Sequence, residues 1–214
     1  MSNSVRNTRV VVIGGSHLGR HLSESLTARG ADVITASPRH GEHIDLADES
    51  SIKRFAEAAG EIDHVVSTAA MPANGPLDDL DAEGIRRAFD AKVVGPLLLA
   101  KHLRVTRSFT FFSGVAAWRP QRHRTVMATT NGAVKFLVEA LAVELAPVRV
   151  NAVAPGIVDS GVWPADFLST TADRNLTRNV GRPEDIAQAV LYAVTNPYVT
   201  GTVLHVDGGG RLAG

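Results

Sequence analysis

The residues best suited to chemistry begin directly after the apolar run at 10–13, as Gly14-Gly15-Ser16-His17-Leu18-Gly19. Glycine there permits positive φ and a close approach of backbone to a ligand. A helix opening at that point adds unpaired N–H groups and a partial positive charge. This is the chemistry of cradling a pyrophosphate, and the end of the first strand is where dinucleotide-binding folds place it. Two readings stay open for the glycines, a phosphate cradle or an ordinary tight turn. Two also stay open for His17, a phosphate contact or a ring facing solvent. The second apolar run ends Thr35-Ala36-Ser37-Pro38-Arg39. A site for NAD places an acidic residue there to bind the ribose 2′-hydroxyl. That stretch has no Asp or Glu, whereas the Ser37 hydroxyl and the Arg39 guanidinium suit a 2′-phosphate. The expected cofactor is therefore NADP(H), against the plainer reading of Arg39 as a solvated loop residue.

Composition removes several other chemistries. There is no cysteine, hence no disulfide, thiolate metal ligand or thiol nucleophile, and no metal site is expected. Lys plus Arg number 22 and Asp plus Glu number 22, so net charge exerts no pull toward DNA, RNA or an acidic membrane. The first eight residues lack the apolar core of a signal peptide, and no apolar run approaches the ~20 residues of a bilayer span. The expectation is a cytoplasmic protein with a small-molecule substrate and no nucleic-acid or membrane partner. A chain of 214 residues holds one α/β domain, spanning 1–214, but not two of full size.

The elements that must position these groups alternate. Short β-branched runs are separated by longer amphipathic stretches, the pattern of βαβ units and a mostly parallel sheet with helices on both faces. The first strand, at 10–13, is apolar without alternation, as a sheet covered on both faces requires. Leu18, Leu22 and Leu26 line one face of the next helix, and Gly30 stops it. Further strands are expected at 33–36, from Val65 and Val66, and at 109–112, 148–153 and 202–206. A long helix over 80–103 runs through Ile85, Phe89, Val93 and Leu97. It should break near 92–96, because an interior proline such as Pro96 costs about 3 kcal/mol. Val134, Leu137, Leu141 and Leu145 mark a helix that Pro147 ends, and 184–194 is the last helix. Residues 163–179 are polar and Thr-rich, which predicts a mobile loop beside an open pocket.

Several further segments follow the glycine turn in a fixed order. They are His43-Ile44-Asp45-Leu46, then Arg149-Val150-Asn151-Ala152-Val153-Ala154-Pro155-Gly156-Ile157-Val158-Asp159-Ser160, then Gly181-Arg182-Pro183-Glu184-Asp185-Ile186-Ala187, and lastly Thr200-Gly201 with Val206-Asp207-Gly208-Gly209. Together they resemble the short-chain dehydrogenase/reductase family over nearly the whole chain. The resemblance implies a Rossmann-type doubly wound parallel sheet. It also implies that Asp45 and Leu46 flank an adenine, and that Pro155, Gly156, Val158 and Ser160 border a nicotinamide carboxamide. Ala69 and Ala70 close a Ser67-Thr68-Ala69-Ala70 variant of the family's Asn-Asn-Ala-Gly. The glycine turn is one residue shorter than the family's and lacks its middle glycine, so His17 or Leu18 stands in that region. Family members pair two long helices, here those around 80–102 and 127–146, and a homodimer or homotetramer is expected.

The family's proton chemistry uses Ser, Tyr and Lys with a helping Asn. Matching positions place Met127 at the Tyr, Asn131 at the Lys, Lys92 at the Asn and Gly114 at the Ser, with Ser113 one residue early. A thioether transfers no proton, and a neutral amide does not depress a phenol's pKa. The two tyrosines, Tyr192 and Tyr198, lie on other elements. Stand-ins are Lys92 as electrophile or proton donor, Ser113 as a hydrogen-bonding group, and Thr130, His123 or Arg124 near Met127. The plainer readings are a solvated Lys92 and a loop His123. Met127 and Trp118 read as an apolar substrate wall, and Lys135 lies one turn too deep to stand in at 131. General acid–base assistance is worth about 10²–10⁴-fold, so its loss slows hydride transfer without forbidding it. Three functions stay open. One is an NADP(H)-dependent oxidoreductase acting on a small carbonyl, imine or enone with a proton source other than tyrosine. The others are a redox-neutral cyclase, dehydratase or isomerase on the same scaffold, and a catalytically silent NADP(H)-binding sensor.

Overall fold

In the computed structural model, which describes residues 4–213, the first strand β1 (Arg9–Ile13) sends its side chains into two separate cores. Val11 and Ile13 enter one, Val10 and Val12 the other. That double burial is why the strand is apolar at every step. The remaining strands are β2 (Asp32–Ser37), β3 (Glu42–His43), β4 (Glu61–Ser67), β5 (Arg104–Phe112), β6 (Arg149–Pro155) and β7 (Val203–Val206). All pair in parallel, in the order β3-β2-β1-β4-β5-β6-β7. Helices α1 (His17–Thr27) and α7 (Pro183–Thr195) cover the face of Val10 and Val12. Helices α2 (Glu49–Ala59), α4 (Gly95–His102) and α5 (Thr125–Glu144) cover the other. The remaining α-helices are α3 (Ala82–Phe89) and α6 (Ala165–Arg174). This is a Rossmann-type doubly wound sheet in a single domain.

The long helix expected over 80–103 is broken where Pro96 requires it. Between α3 and α4 lies a π-helical turn, Asp90–Val94. Pro96 has no N–H to give to the Lys92 carbonyl, and the Gly95 N–H reaches back five residues to Asp90 O. Gly95 also permits a close crossing, since a Cβ there would lie 2.7 Å from Leu46 Cβ. The widened turn carries Lys92.

The structure departs from the sequence reading in four places. The segment 163–179 is not a loop throughout: α6 occupies its middle, none of its residues is buried, and so no apolar stripe marks it in the sequence. Its Thr170 and Thr171 hydroxyls bond the carbonyls of Asp166 and Phe167, and Trp163 stacks on Phe167 at 4.8 Å. Helix α2, absent from the sequence reading, buries Ile52, Phe55 and Ala59 and is capped by Asp48. Strand β3 stops at His43, so Asp45 and Leu46 lie beyond it, with the Asp45 carboxylate accepting from Ala47 N at 3.0 Å. Helix α5 has the length and hydropathy of a membrane-crossing helix, contrary to the reading that no run approaches it. Its Val134, Leu137, Val138 and Leu141 are buried in the core.

The Arg149 and Asn151 side chains of β6 have structural partners. The Arg149 guanidinium donates to Ala193 O and Val194 O at the end of α7, and Asn151 Nδ2 donates to Val199 O at 2.8 Å.

Two glycine-to-alanine changes should move stability in opposite directions. A Cβ at Gly19 would lie 2.1 Å from the backbone oxygen of Gly14, an overpacking that costs about 1–3 kcal/mol. At Gly132, within α5, the nearest atom to a new Cβ is 4.0 Å away. Gly132→Ala should therefore stabilise by about 0.5–1 kcal/mol through helix propensity. Urea unfolding of both variants checks the pair, and equal effects would contradict the packing described.

Candidate functional site

Strands β1 and β4 are neighbours whose connections run to opposite sides of the sheet. Such a switch point leaves a crevice beyond the carboxyl ends of the strands. A cavity of about 770 Å³ fills it. The structure gathers there Gly14, Gly15, Ser16, Ser37, Arg39, Asp45, Leu46, Ala69 and Ala70, from four different connections. The glycines are required. Gly14 has φ 131°, and a Cβ on it would sit 2.2 Å from Thr68 Oγ1. Ser16 caps α1 by accepting from Gly19 N at 3.4 Å, and the first turn of the helix faces the crevice with the positive end of its dipole. A cradle that any Cβ would fill, placed at a helix N-terminus, fits a dinucleotide pyrophosphate.

Other expected members of this group fall elsewhere. Gly19 is buried beneath the turn, Leu18 packs against the core under α1 and α7, and His17 is exposed with Nδ1 3.0 Å from an Arg20 nitrogen. None of the three lines the cavity. Ser37 does, but its hydroxyl donates to His40 O at 2.8 Å and accepts from His40 N at 2.8 Å. It is committed to its own turn, so of the Ser37 and Arg39 pair expected at a 2′-phosphate, Arg39, exposed at the rim, is the remaining member. The sequence reading missed His40 and Arg87, which also line the cavity. The His40 ring lies 3.1 Å from where a Cβ on Gly15 would be. Its nearness to Arg39 in a tight turn was the available signal.

A second cavity of about 270 Å³ adjoins the first and shares Ala70 and Met71 with it. It is lined by the four residues matched above to the family's reactive set, Lys92, Gly114, Met127 and Asn131, and by Ser113, Pro155 and Gly156. Lys92 is the single ionisable residue of that lining. The solvated reading of Lys92 is overturned, because its side chain is half-buried and Nζ donates to Phe112 O at 2.7 Å. Burial pushes its ammonium down to about 8.

Ser113 is buried, and its hydroxyl donates to Asn131 O at 2.7 Å, so its proton is already spent within the protein. Thr130 is likewise tied to Val126 O at 2.9 Å. A Cβ on Gly114 would lie 2.9 Å from the Asn131 side chain, whose carboxamide thus takes the room a serine at 114 would need. Gly156 lets Asp207 approach, its would-be Cβ lying 2.9 Å from Asp207 Cα. His123, Arg124 and Trp118 do not line this cavity, and the Trp118 ring meets His205 edge-on at 4.4 Å. Nor do Val158 and Ser160, which lie past the Pro155-Gly156 turn, where Val158 bridges to Gly181. Lys135 pairs with Glu139 at 2.7 Å, and Tyr192 and Tyr198 are exposed on and beyond α7. Among the described residues, no group of three His, Asp or Glu side chains is placed to hold a metal ion.

A family model described as enoyl-(acyl carrier protein) reductase matches residues 20–210. The short-chain dehydrogenase/reductase ucsE of Acremonium sp is 32% identical, with 95% of each chain covered. The chain belongs to the short-chain dehydrogenase/reductase family. A small-chain dehydrogenase solved in complex with NADPH superposes with a TM-score of 0.88 at 34% identity, covering 97% of this chain and 100% of the other. The MalC reductase/Diels-Alderase of Malbranchea aurantiaca superposes with a TM-score of 0.87 at 27% identity, covering 97% and 98%. Membership makes this an oxidoreductase fold of the kind that binds nicotinamide cofactors and acts on small molecules.

Lys92 gives this short-chain dehydrogenase/reductase a stability that depends on pH in a defined window. Its folded value of about 8 lies below the usual 10.5. Between those values the unfolded chain holds more protons, so stability rises with pH across the window and is level on either side. The stability of wild type relative to Lys92→Met should therefore climb by on the order of 1–3 kcal/mol from about pH 8 to about pH 10.5 in urea titrations. A difference that stays flat would contradict the desolvation of Lys92.

Proposed function

We propose that this protein is an NADP(H)-dependent oxidoreductase. It moves a hydride between the cofactor and a small organic carbonyl, imine or enone, using a proton source other than tyrosine. The observation that carries the reading is the adjacency of the two cavities, which share Ala70 and Met71 in their linings. One is large enough for a nucleotide, and the other holds every position of the family's reactive set. In this reading Gly14, Gly15 and Ser16 hold the pyrophosphate, Asp45 and Leu46 flank the adenine, and Ala69, Ala70, Pro155 and Gly156 border the nicotinamide. Arg39 meets the 2′-phosphate, supported by the lack of any carboxylate among residues 35–40 and by the solved relative's complex with NADPH. When bound, the reduced nicotinamide supplies the hydride. Lys92, the one ionisable group of the inner cavity, is the proton source.

A second reading has its own support. Met127 and Asn131 leave the family's acid and its tuner unreplaced on their own helix, and a superposing relative is named both reductase and Diels-Alderase. A redox-neutral cyclisation, dehydration or isomerisation on the same scaffold would turn substrate over with NADPH absorbance unchanged.

We also propose a homodimer or homotetramer built on α4 and α5. Leu97, Phe136 and Val143 on those helices are 45%, 68% and 81% exposed, apolar surface that pairing of the two helices between copies would cover. Light scattering should return the mass of a dimer or tetramer, and Phe136→Glu should lower it; a wild-type monomer would refute the proposal. For the cofactor, fluorescence titration should show NADPH binding more tightly than NADH. Arg39→Ala should erase most of that preference, about 10-fold or more for a lost charge-assisted contact. An unchanged preference in the variant would remove Arg39 from the site.

A further inference from the structure

The inner cavity has a charge pattern that its neighbour lacks. Its walls are mostly apolar, formed by residues such as Met71, Pro72, Ala88, Met127 and Ile157. Its polar lining groups are largely occupied by the protein itself, with the Ser113 hydroxyl on Asn131 O and the Thr130 hydroxyl on Val126 O. Against that background stands one ammonium, Lys92 Nζ, bonded to a single backbone carbonyl, and no carboxylate shares the cavity lining. An ammonium has three donors. One is used at 2.7 Å on Phe112 O, which leaves two for a ligand.

A cation held in apolar surroundings without a counter-ion is costly to the fold. A ligand that brings negative charge to it recovers that cost, and one that brings positive charge adds to it. We infer that the inner cavity is a binding site for a compact apolar molecule bearing an ionised oxygen of the enolate or phenolate type, with Lys92 as the counter-ion. The apolar walls favour such a diffuse anion over a phosphate, which needs many donors at once. At about 270 Å³ the cavity falls below the ~300–1,000 Å³ usual for drug-sized ligands, in keeping with a compact one.

The consequence for substrate class rests on the oxidoreductase reading above, while the binding site itself does not. Among a carbonyl, an enone and an imine, the first two gather negative charge on oxygen as they are reduced, and Lys92 favours them. A protonated imine is a cation, and Lys92 repels it. The lysine's lowered value of about 8 still leaves it mostly charged at neutral pH, as this role requires. Asn131 lines the same cavity in place of the family's lysine, so this chain carries its positive charge on the π-helical turn Asp90–Val94 and not on α5.

The test needs no nucleotide, so its failure is separate from failure of the cofactor reading. 4-Nitrophenol, whose ionised form is read by its absorbance, is titrated into wild type, Lys92→Met, Lys92→Gln and Lys92→Arg at neutral pH and below. An opposite charge within ~4–6 Å lowers an acid's pKa by about 1–3 units, so the bound phenol should ionise at least ~10-fold more readily than the free one. The shift should vanish in the Met and Gln variants and persist in Arg, with thermal melts showing each variant folded. An unshifted phenol in wild type, no binding by wild type, or the same shift in a folded Met or Gln variant would each overturn the assignment. If both neutral variants fail to fold, the wild-type result decides alone, a shifted phenol supporting the assignment and an unshifted one overturning it.

Discussion

The crowding of β1, β4 and the start of α1 governs the rest of this molecule. Thr68 Oγ1 stands 2.2 Å from where a side chain on Gly14 would begin, and Gly14 O stands 2.1 Å from the same point on Gly19. Only hydrogen fits at either place. Because the chain closes so tightly there, α1 starts directly behind the end of β1 and points its positive end into the crevice between diverging connections. The opposing buried faces of β1 then fix the helical layers above and below, and the carboxyl ends of β2, β4 and β6 fall around one opening. The nucleotide-sized cavity follows from backbone packing more than from any polar side chain.

A second constraint shapes the reactive end. Pro96 cannot continue the hydrogen-bond ladder, and the resulting π-helical turn, Asp90–Val94, brings Lys92 to the inner cavity. Gly114 and Asn131 are coupled through space, the carboxamide of one filling the room left by the other. Gly114 and Asn131 are therefore packed together, and a serine at 114 alone would meet Asn131.

Much of this was legible in the sequence, because the strongest signals were steric ones. The uninterrupted apolar strand at 10–13, the glycine turn and the misplaced proline each have one inexpensive structural solution, and the fold adopts it. The order of Asp45, Pro155-Gly156 and Asp207-Gly208-Gly209 along the chain carried the family. What escaped were hydrogen bonds decided by tertiary placement. Nothing in the chain near Ser37 or Ser113 reveals that both hydroxyls are consumed internally. The exposed α6 buries no residue, so periodicity had nothing to register, and α2 was overlooked although Ile52, Phe55 and Ala59 recur at helical spacing. His40 adjoins Arg39 in the chain, but only the fold shows its ring set against Gly15.

Family membership brings the fold and a nicotinamide cofactor, whereas the reaction depends on what the inner cavity does with them. The most direct measurement follows NADPH absorbance and product mass together, in one reaction vessel, across small carbonyls, imines and enones. One NADP⁺ should form for each product molecule heavier by two hydrogens, with carbonyls or enones among those turned over. Product accumulating while NADPH stays constant would contradict it and point to redox-neutral chemistry on the same scaffold.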